Sequence, residues 1–192
     1  MIRQLPILPT IFVIAAAATM VALGIWQLGR ADEKAALIAQ YSSASALSEE
    51  VDFPIAGEGE DVWFRRSSVS CIEVIDVAPV SGTAANGAKG WAIRVGCRTS
   101  AAQAPVTVDL GFAQTLGDDD WTQGGGKVTG VIAPGPRLVA DPPAADLYPL
   151  AKPDPSDLPN NHLAYAGQWF FFALTALVIY GFALKSRLKK RD

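Results

Sequence analysis

One histidine, two cysteines and two methionines are all that the chain offers of these three residue types. With His162 as its sole imidazole, one copy cannot build a three-histidine zinc centre, a multi-histidine or multi-methionine copper site, or a bis-histidine haem. A serine triad would have to run on that same histidine, and no Gly-x-Ser-x-Gly elbow is present. Cys71 and Cys97 form neither a Cys-x-x-Cys nor a Cys-x-x-x-Cys motif, which counts against a thiol oxidoreductase and a two-cysteine copper carrier. The Gly124–Gly126 run lacks the Lys-Ser/Thr that a phosphate loop needs. Asp118–Asp120 lacks calcium-loop spacing and reads as a solvated turn. There is no internal repeat, and the N-terminus lacks the repeated Arg and Ser of an organelle transit peptide.

What is abundant is apolar sequence. Half of the residues are hydrophobic, and they concentrate in two charge-free runs, Leu8–Leu28 and Leu163–Leu184. Each exceeds the roughly 20 residues that cross about 30 Å of hydrocarbon as a helix. The first run competes with a cleaved secretory signal. Such a signal has an apolar core of about 7–15 residues ending at a small-x-small site. Here Ala15–Ala18 sits in mid-run and apolar sequence continues beyond it, so retention as a helix is expected. After the second run come Lys185, Arg187, Lys189, Lys190 and Arg191 against Asp192 alone, a cluster that holds a tail in the cytoplasm. An even number of spans places the N-terminus, with Arg3, on the same side. Between the spans, Arg30 to Ala164 carries ten Lys/Arg and eighteen Asp/Glu, a net of −8. An acidic segment of this kind offers no footprint for nucleic acid. A bacterial inner membrane with a periplasmic domain is the simplest assignment. There Cys71 and Cys97 either pair as a disulfide or stay as two buried thiols.

The middle of the chain reads as strands. Ala31–Glu50 first continues as a short helical extension and then a Ser-rich loop. Trp91, Ile93, Val95 and Cys97 alternate with Ala92, Arg94, Gly96 and Arg98, and Val106, Val108, Leu110 and Phe112 alternate likewise. Period two places one face on a core. Val62–Arg66, Val69–Ala78 and Lys127–Ala133 are weaker strands. The fold class expected is a membrane α+β protein, with two transmembrane helices flanking an antiparallel sheet or small open barrel. From Pro134 to Pro159 eight of the thirteen prolines occur, which predicts an extended connector. It leads to Asn160-Asn161, good cap residues before the second helix. The boundaries expected are therefore 8–28 for the first span, 29–133 for the β-rich domain, 134–160 for the connector, 161–184 for the second span and 185–192 for the tail.

Where the first span ends and the second begins, polar and aromatic side chains share one depth. Gln27, Arg30 and Lys34 occupy one stripe of the first helix, and His162, Tyr165, Ala166 and Trp169 one stripe of the second. Such residues also have an ordinary explanation. Trp and Tyr belt membrane interfaces, Lys and Arg flank spans, and Gly24, Ala166 and Gly167 permit close helix contact. The glutamines Gln27 and Gln168 tilt the balance, because polar side chains near lipid find partners across a helix pair.

At these residues the chain resembles the surfeit-locus-one family of cytochrome c oxidase assembly factors. The matches are LGIWQLGRADEKAALI at the first helix and NNHLAYAGQWFFFALTALVIY at the second, with VTVDLGFAQ similar to the family's strand that ends in a Gly-aromatic pair. Two positions depart from the pattern: Glu33 stands where Trp is common, and Asp109-Leu110 where Asn-Arg is common. The resemblance implies a bacterial oxidase assembly factor that binds haem a transiently and aids its insertion into the catalytic subunit, with that subunit and haem a synthase as partners. His162, carried across from the motif, is then the candidate iron ligand. On physical grounds Arg30 and Lys34 are expected to meet the propionates, and Trp26, Tyr165 and Trp169 the macrocycle. Gly24, Gln27, Ala166 and Gln168 are expected at the helix contact. No enzymatic activity is expected. The alternative is a cofactor-free membrane scaffold holding an oxidase intermediate, and an uncharacterised membrane hydrolase lacks its nucleophile motif.

Overall fold

The computed structural model describes residues 6–56, 58–100, 104–116, 126–144 and 146–189. Asp118–Asp120, Gly124, Gly125, Arg3 and the end of the basic tail lie outside them. The chain divides into two compact units, Met1–Leu37 with Pro159–Asp192, and Ile38–Leu158.

The first unit is a pair of helices. Helix α1 runs Ile7–Ser45 without interruption, its last turns belonging to the second unit, and α2 runs His162–Lys189. Neither contains proline beyond its first turn, and both are rich in Ala and Leu, so the backbone has no reason to break. Both are long and apolar enough to cross a membrane, and only 11 % and 6 % of their most apolar stretches are buried within the molecule. A helix in a soluble core would be mostly covered. These two leave their apolar surface, including Phe12, Phe171, Leu174 and Phe182, exposed.

The two helices pack antiparallel. Thr10 Oγ1 and Tyr180 OH are hydrogen-bonded to each other, Ala17 and Ala173 are both buried, and Asn160 Nδ2 donates to Ala31 O at 3.3 Å. Each rise along α1 is matched by a descent along α2. Gly24 is where the helices need a missing side chain: a Cβ there would stand 2.5 Å from Cε1 of Phe170.

The second unit is a seven-stranded sheet. Its strands are β1 Val51–Asp52, β2 Arg66–Cys71, β3 Glu73–Thr83, β4 Lys89–Arg98, β5 Val106–Ala113, β6 Gly126–Ala133 and β7 Arg137–Ala140, in the order β1-β2-β6-β7-β5-β4-β3. The sheet is mixed, which corrects the antiparallel expectation: β1 runs parallel to β2, and β7 parallel to β5, with Thr107 opposite Arg137 and Asp109 opposite Val139. The proline-rich stretch is not wholly a connector, because β7 comes from it. Its prolines flank the strand instead of interrupting it. Pro134-Gly135-Pro136 makes the turn, with Gly135 at φ +82°, and Arg137–Ala140 is free of proline. The chain thereby doubles back on β6 and slots in beside β5.

The sheet must be rolled. Strands β2 and β3 stand second and seventh in the order, yet Ile72 alone separates them. Five strand spacings would put them roughly 24 Å apart in a flat sheet, whereas two peptide steps reach about 7 Å. Ile72 N donates to Arg98 O at 2.8 Å, tying the junction to the end of β4. The stretch Val69–Ala78 is therefore two strands five places apart in the sheet order. The buried positions show the break: Val69 and Cys71 are odd, Val74 is even.

Inside the roll lie Val69, Cys71, Val74, Ile93, Val95, Cys97, Val106, Val108, Leu110, Val128, Ile132 and Leu138. A bulge at Leu110, between the Arg94–Asp109 and Ile93–Gly111 pairs, shifts the phase of β5. Phe112 consequently joins Ala92, Ala133, Val139 and Leu150 in a second apolar cluster and not the first. The stretch from Val62 is a short 3-10 turn, Glu60–Val62, leading to Phe64 at φ +66° before β2 begins. Phe64 and Trp63 enclose Tyr41, ring centroids 5.2 and 5.9 Å away, which anchors the last turns of α1 within this unit.

Candidate functional site

The helix pair gathers its polar residues where α1 carries Gln27 and α2 begins. The backbone N–H of Tyr165 donates to Asn161 O, which opens α2 directly at His162. Asn160 does not cap the helix with its side chain but donates it to Ala31 on α1. His162 is half-buried, and its Nδ1 lies 2.7 Å from Gln27 Oε1. One turn further, Ala166 is fully buried, and one turn before Gln27 the buried Gly24 admits the ring of Phe170. The amide and the imidazole meet because these small residues bring the two backbones close.

The other residues expected here fall into three groups. Arg30 is paired with Glu33 on its own helix, so its charge already has a carboxylate. Lys34, half-buried, has no hydrogen-bond or ion-pair partner among the described residues. Trp26 and Tyr165 are about half-exposed, and Trp169 is half-buried with Phe172 edge-on at 6.3 Å. Gln168 is exposed, and Phe170, not Gln168, is the residue that meets Gly24. Among the described residues no group of three or more His, Cys, Asp or Glu is placed to hold a metal ion.

The β unit has a charged centre that was not anticipated. Asp109 is buried; it accepts from Arg94 Nε and Nη2 at 2.6 and 3.0 Å, and from Arg137 Nε at 3.0 Å. Hydrogen bonding to Asp109 holds the Arg94 guanidinium above its ordinary pKa, against the opposing effect of burial. The three residues line a groove of about 260 Å³ with Lys152 and Asp157. Arg94 and Asp109 were legible as polar positions of their own strands, though not as a pair. Arg137 was not, because it reaches them only through the parallel insertion of β7. Cys71 and Cys97 form a disulfide within the roll, resolving the alternative of two thiols.

Two exposed apolar helices carrying a rolled, disulfide-closed sheet define a membrane protein with a β-rich domain between its spans. The end motifs and the whole layout belong to one family. The chain is a member of the SURF1 family, whose profile matches it over residues 14–174. That family is linked to cytochrome oxidase assembly. No curated protein sequence matches the chain.

Proposed function

We propose that this protein is a non-enzymatic assembly factor that carries haem a at its helix pair and aids its delivery to the catalytic subunit of the oxidase. The observation that carries the reading is the state of the one histidine. Its Nδ1 is engaged by Gln27, and its Nε2 has no partner among the described residues. An imidazole in that state fits a singly ligated haem, and part of the remaining donor set supports it. Lys34, without a partner among the described residues, is a cation open to a propionate, whereas Arg30 would first have to leave Glu33. The exposed faces of Trp26 and Tyr165 and the partly covered Trp169 offer aromatic contact to a macrocycle. Bound, haem a would supply an iron that accepts a nitrogen lone pair, and His162 would be the residue that holds it. The role of the chain is to present that lone pair, to keep the porphyrin against apolar surface, and to hold it weakly enough for release, since one chain offers one imidazole. The setting that goes with this role is a bacterial inner membrane with the β domain in the periplasm, where haem a synthase would be the donor of the cargo.

The second reading is a cofactor-free scaffold for an oxidase intermediate. The Arg30–Glu33 pair favours it, because a site built for propionates would leave that cation open. The optical spectrum of the detergent-purified protein from a haem-a-producing host separates the two. A haem a spectrum in the parent that is lost in His162→Ala, with unchanged membrane insertion, is the expected result. A parent without haem leaves the scaffold, and equal haem in both proteins removes His162 as the ligand.

A further inference from the structure

An amide oxygen only accepts hydrogen bonds. With Gln27 Oε1 set 2.7 Å from His162 Nδ1, the contact is a hydrogen bond only when the ring proton is on Nδ1, and the neutral ring then keeps its lone pair on Nε2. In water a free imidazole prefers the opposite arrangement, so the neighbour decides the tautomer here. We propose that Gln27 is a positioning residue that holds His162 as the Nδ1–H tautomer and aims Nε2 at the iron of the carried haem. The inference rests on the reading of His162 as a ligand and extends it to the partner helix.

Three features support a positioning role over simple helix adhesion. The bond links residues 135 positions apart, so the ligand's orientation depends on assembly of the pair and not on α2 alone. The bond is part-buried between the two helices, so water competes for the amide less than it would for an exposed one. Ligating histidines elsewhere are held in the same way, with the non-ligating ring nitrogen donating to a carbonyl or carboxylate that fixes tautomer and raises basicity. Helix adhesion has other sources: the Thr10–Tyr180 bond, the Asn160–Ala31 bond and the Gly24–Phe170 contact all persist without Gln27. Gln27→Met therefore removes the acceptor and leaves the pair assembled, and Gln27→Glu keeps an acceptor in nearly the same shape.

His162 is the only histidine, so ¹⁵N-histidine labelling of the full chain in detergent reports one imidazole without assignment. The haem-free parent and Gln27→Glu are expected to show a proton on Nδ1, and Gln27→Met a shift toward Nε2–H. In haem-a-loaded protein, Gln27→Met is expected to bind about tenfold more weakly or worse. The ferrous iron–histidine stretching band should fall in Gln27→Met and rise in Gln27→Glu, whose carboxylate draws the Nδ1 proton. A parent ring protonated on Nε2 overturns the inference, as does an unchanged tautomer in Gln27→Met. So do haem affinity and a stretching band unmoved in both variants while His162→Ala loses haem, a pattern that leaves the ligand reading standing. Haem retained by His162→Ala overturns the ligand reading and this inference together.

Discussion

Asp141, just past β7, joins three segments of the β unit. Its carboxylate accepts from Lys152 Nζ at 2.8 Å and pairs with Arg66 Nη1 at 3.5 Å. Lys152, chiefly by its hydrogen bond, and Arg66 hold the Asp141 carboxyl below its ordinary pKa, against partial burial that pushes it upward. A carboxyl whose pKa is lower folded than unfolded adds stability above its unfolded value, about pH 4, and loses it as pH falls through the folded value. Because Asp141 stays a third exposed and Lys152 two-thirds, the contribution is modest, about 0.5–1 kcal/mol at neutral pH. Asp141→Asn is accordingly expected to lower the melting temperature slightly near pH 7, the difference closing below about pH 4. Thermal melts across that range check it, and a difference independent of pH would refute it. Residue-level chemistry was legible in the sequence only where one helix's periodicity set it. Gln27 and His162 could be brought together from helical stripes alone. The Asp109 centre depends on three strands in an order that period-two patterning does not specify, and Leu110 is a bulge, which that patterning cannot distinguish from a regular core position.

Among elements, the junction between β2 and β3 decides the shape of the domain. One residue, Ile72, carries the chain from the second to the seventh place in the sheet order, and the Cys71–Cys97 disulfide fastens β2 to β4 beside that turn. Both sulfurs lie within the roll, Cys97 fully buried and in phase with Ile93 and Val95. The bridge closes a loop of 26 residues, for which chain entropy gives about 3–4 kcal/mol. Cys71→Ser with Cys97→Ser should therefore lower the melting temperature by about 10 °C or more. An unchanged melting temperature would show that the core closes the roll unaided. Strands β4 and β5 were visible as alternation, and β6 as a weaker candidate over Lys127–Ala133. Strand β7 was hidden because eight prolines over 26 positions masked a four-residue window that contains none. The β2–β3 break was hidden because Ile72 continues an apolar run whose phase changes beneath it.

For the whole molecule, the antiparallel pairing of the spans constrains topology more tightly than either span alone. Thr10 meets Tyr180 near the chain ends, and Ala31 meets Asn160 beside the β unit's own boundaries, so a membrane crossed by both helices has the two termini on one face and the intervening domain on the other. Charge then chooses the face. The segment from Arg30 to Ala164 carries ten basic and eighteen acidic residues, whereas Lys185, Arg187, Lys189, Lys190 and Arg191 follow the second span. Basic flanks close to span ends stay in the cytoplasm. The disulfide argues independently in the same direction, because such bonds persist outside the reducing cytosol. Reporter fusions joined after Lys127 and after Asp192 are expected to give opposite signals: alkaline phosphatase active only at the first, a fluorescent protein bright only at the second. Equal signals at both joints would mean that one apolar helix does not cross. Opposite signals in the reverse sense would put the disulfide in a reducing compartment and the His162 end of the pair on the cytoplasmic side, removing the proposed route from a periplasm-facing site.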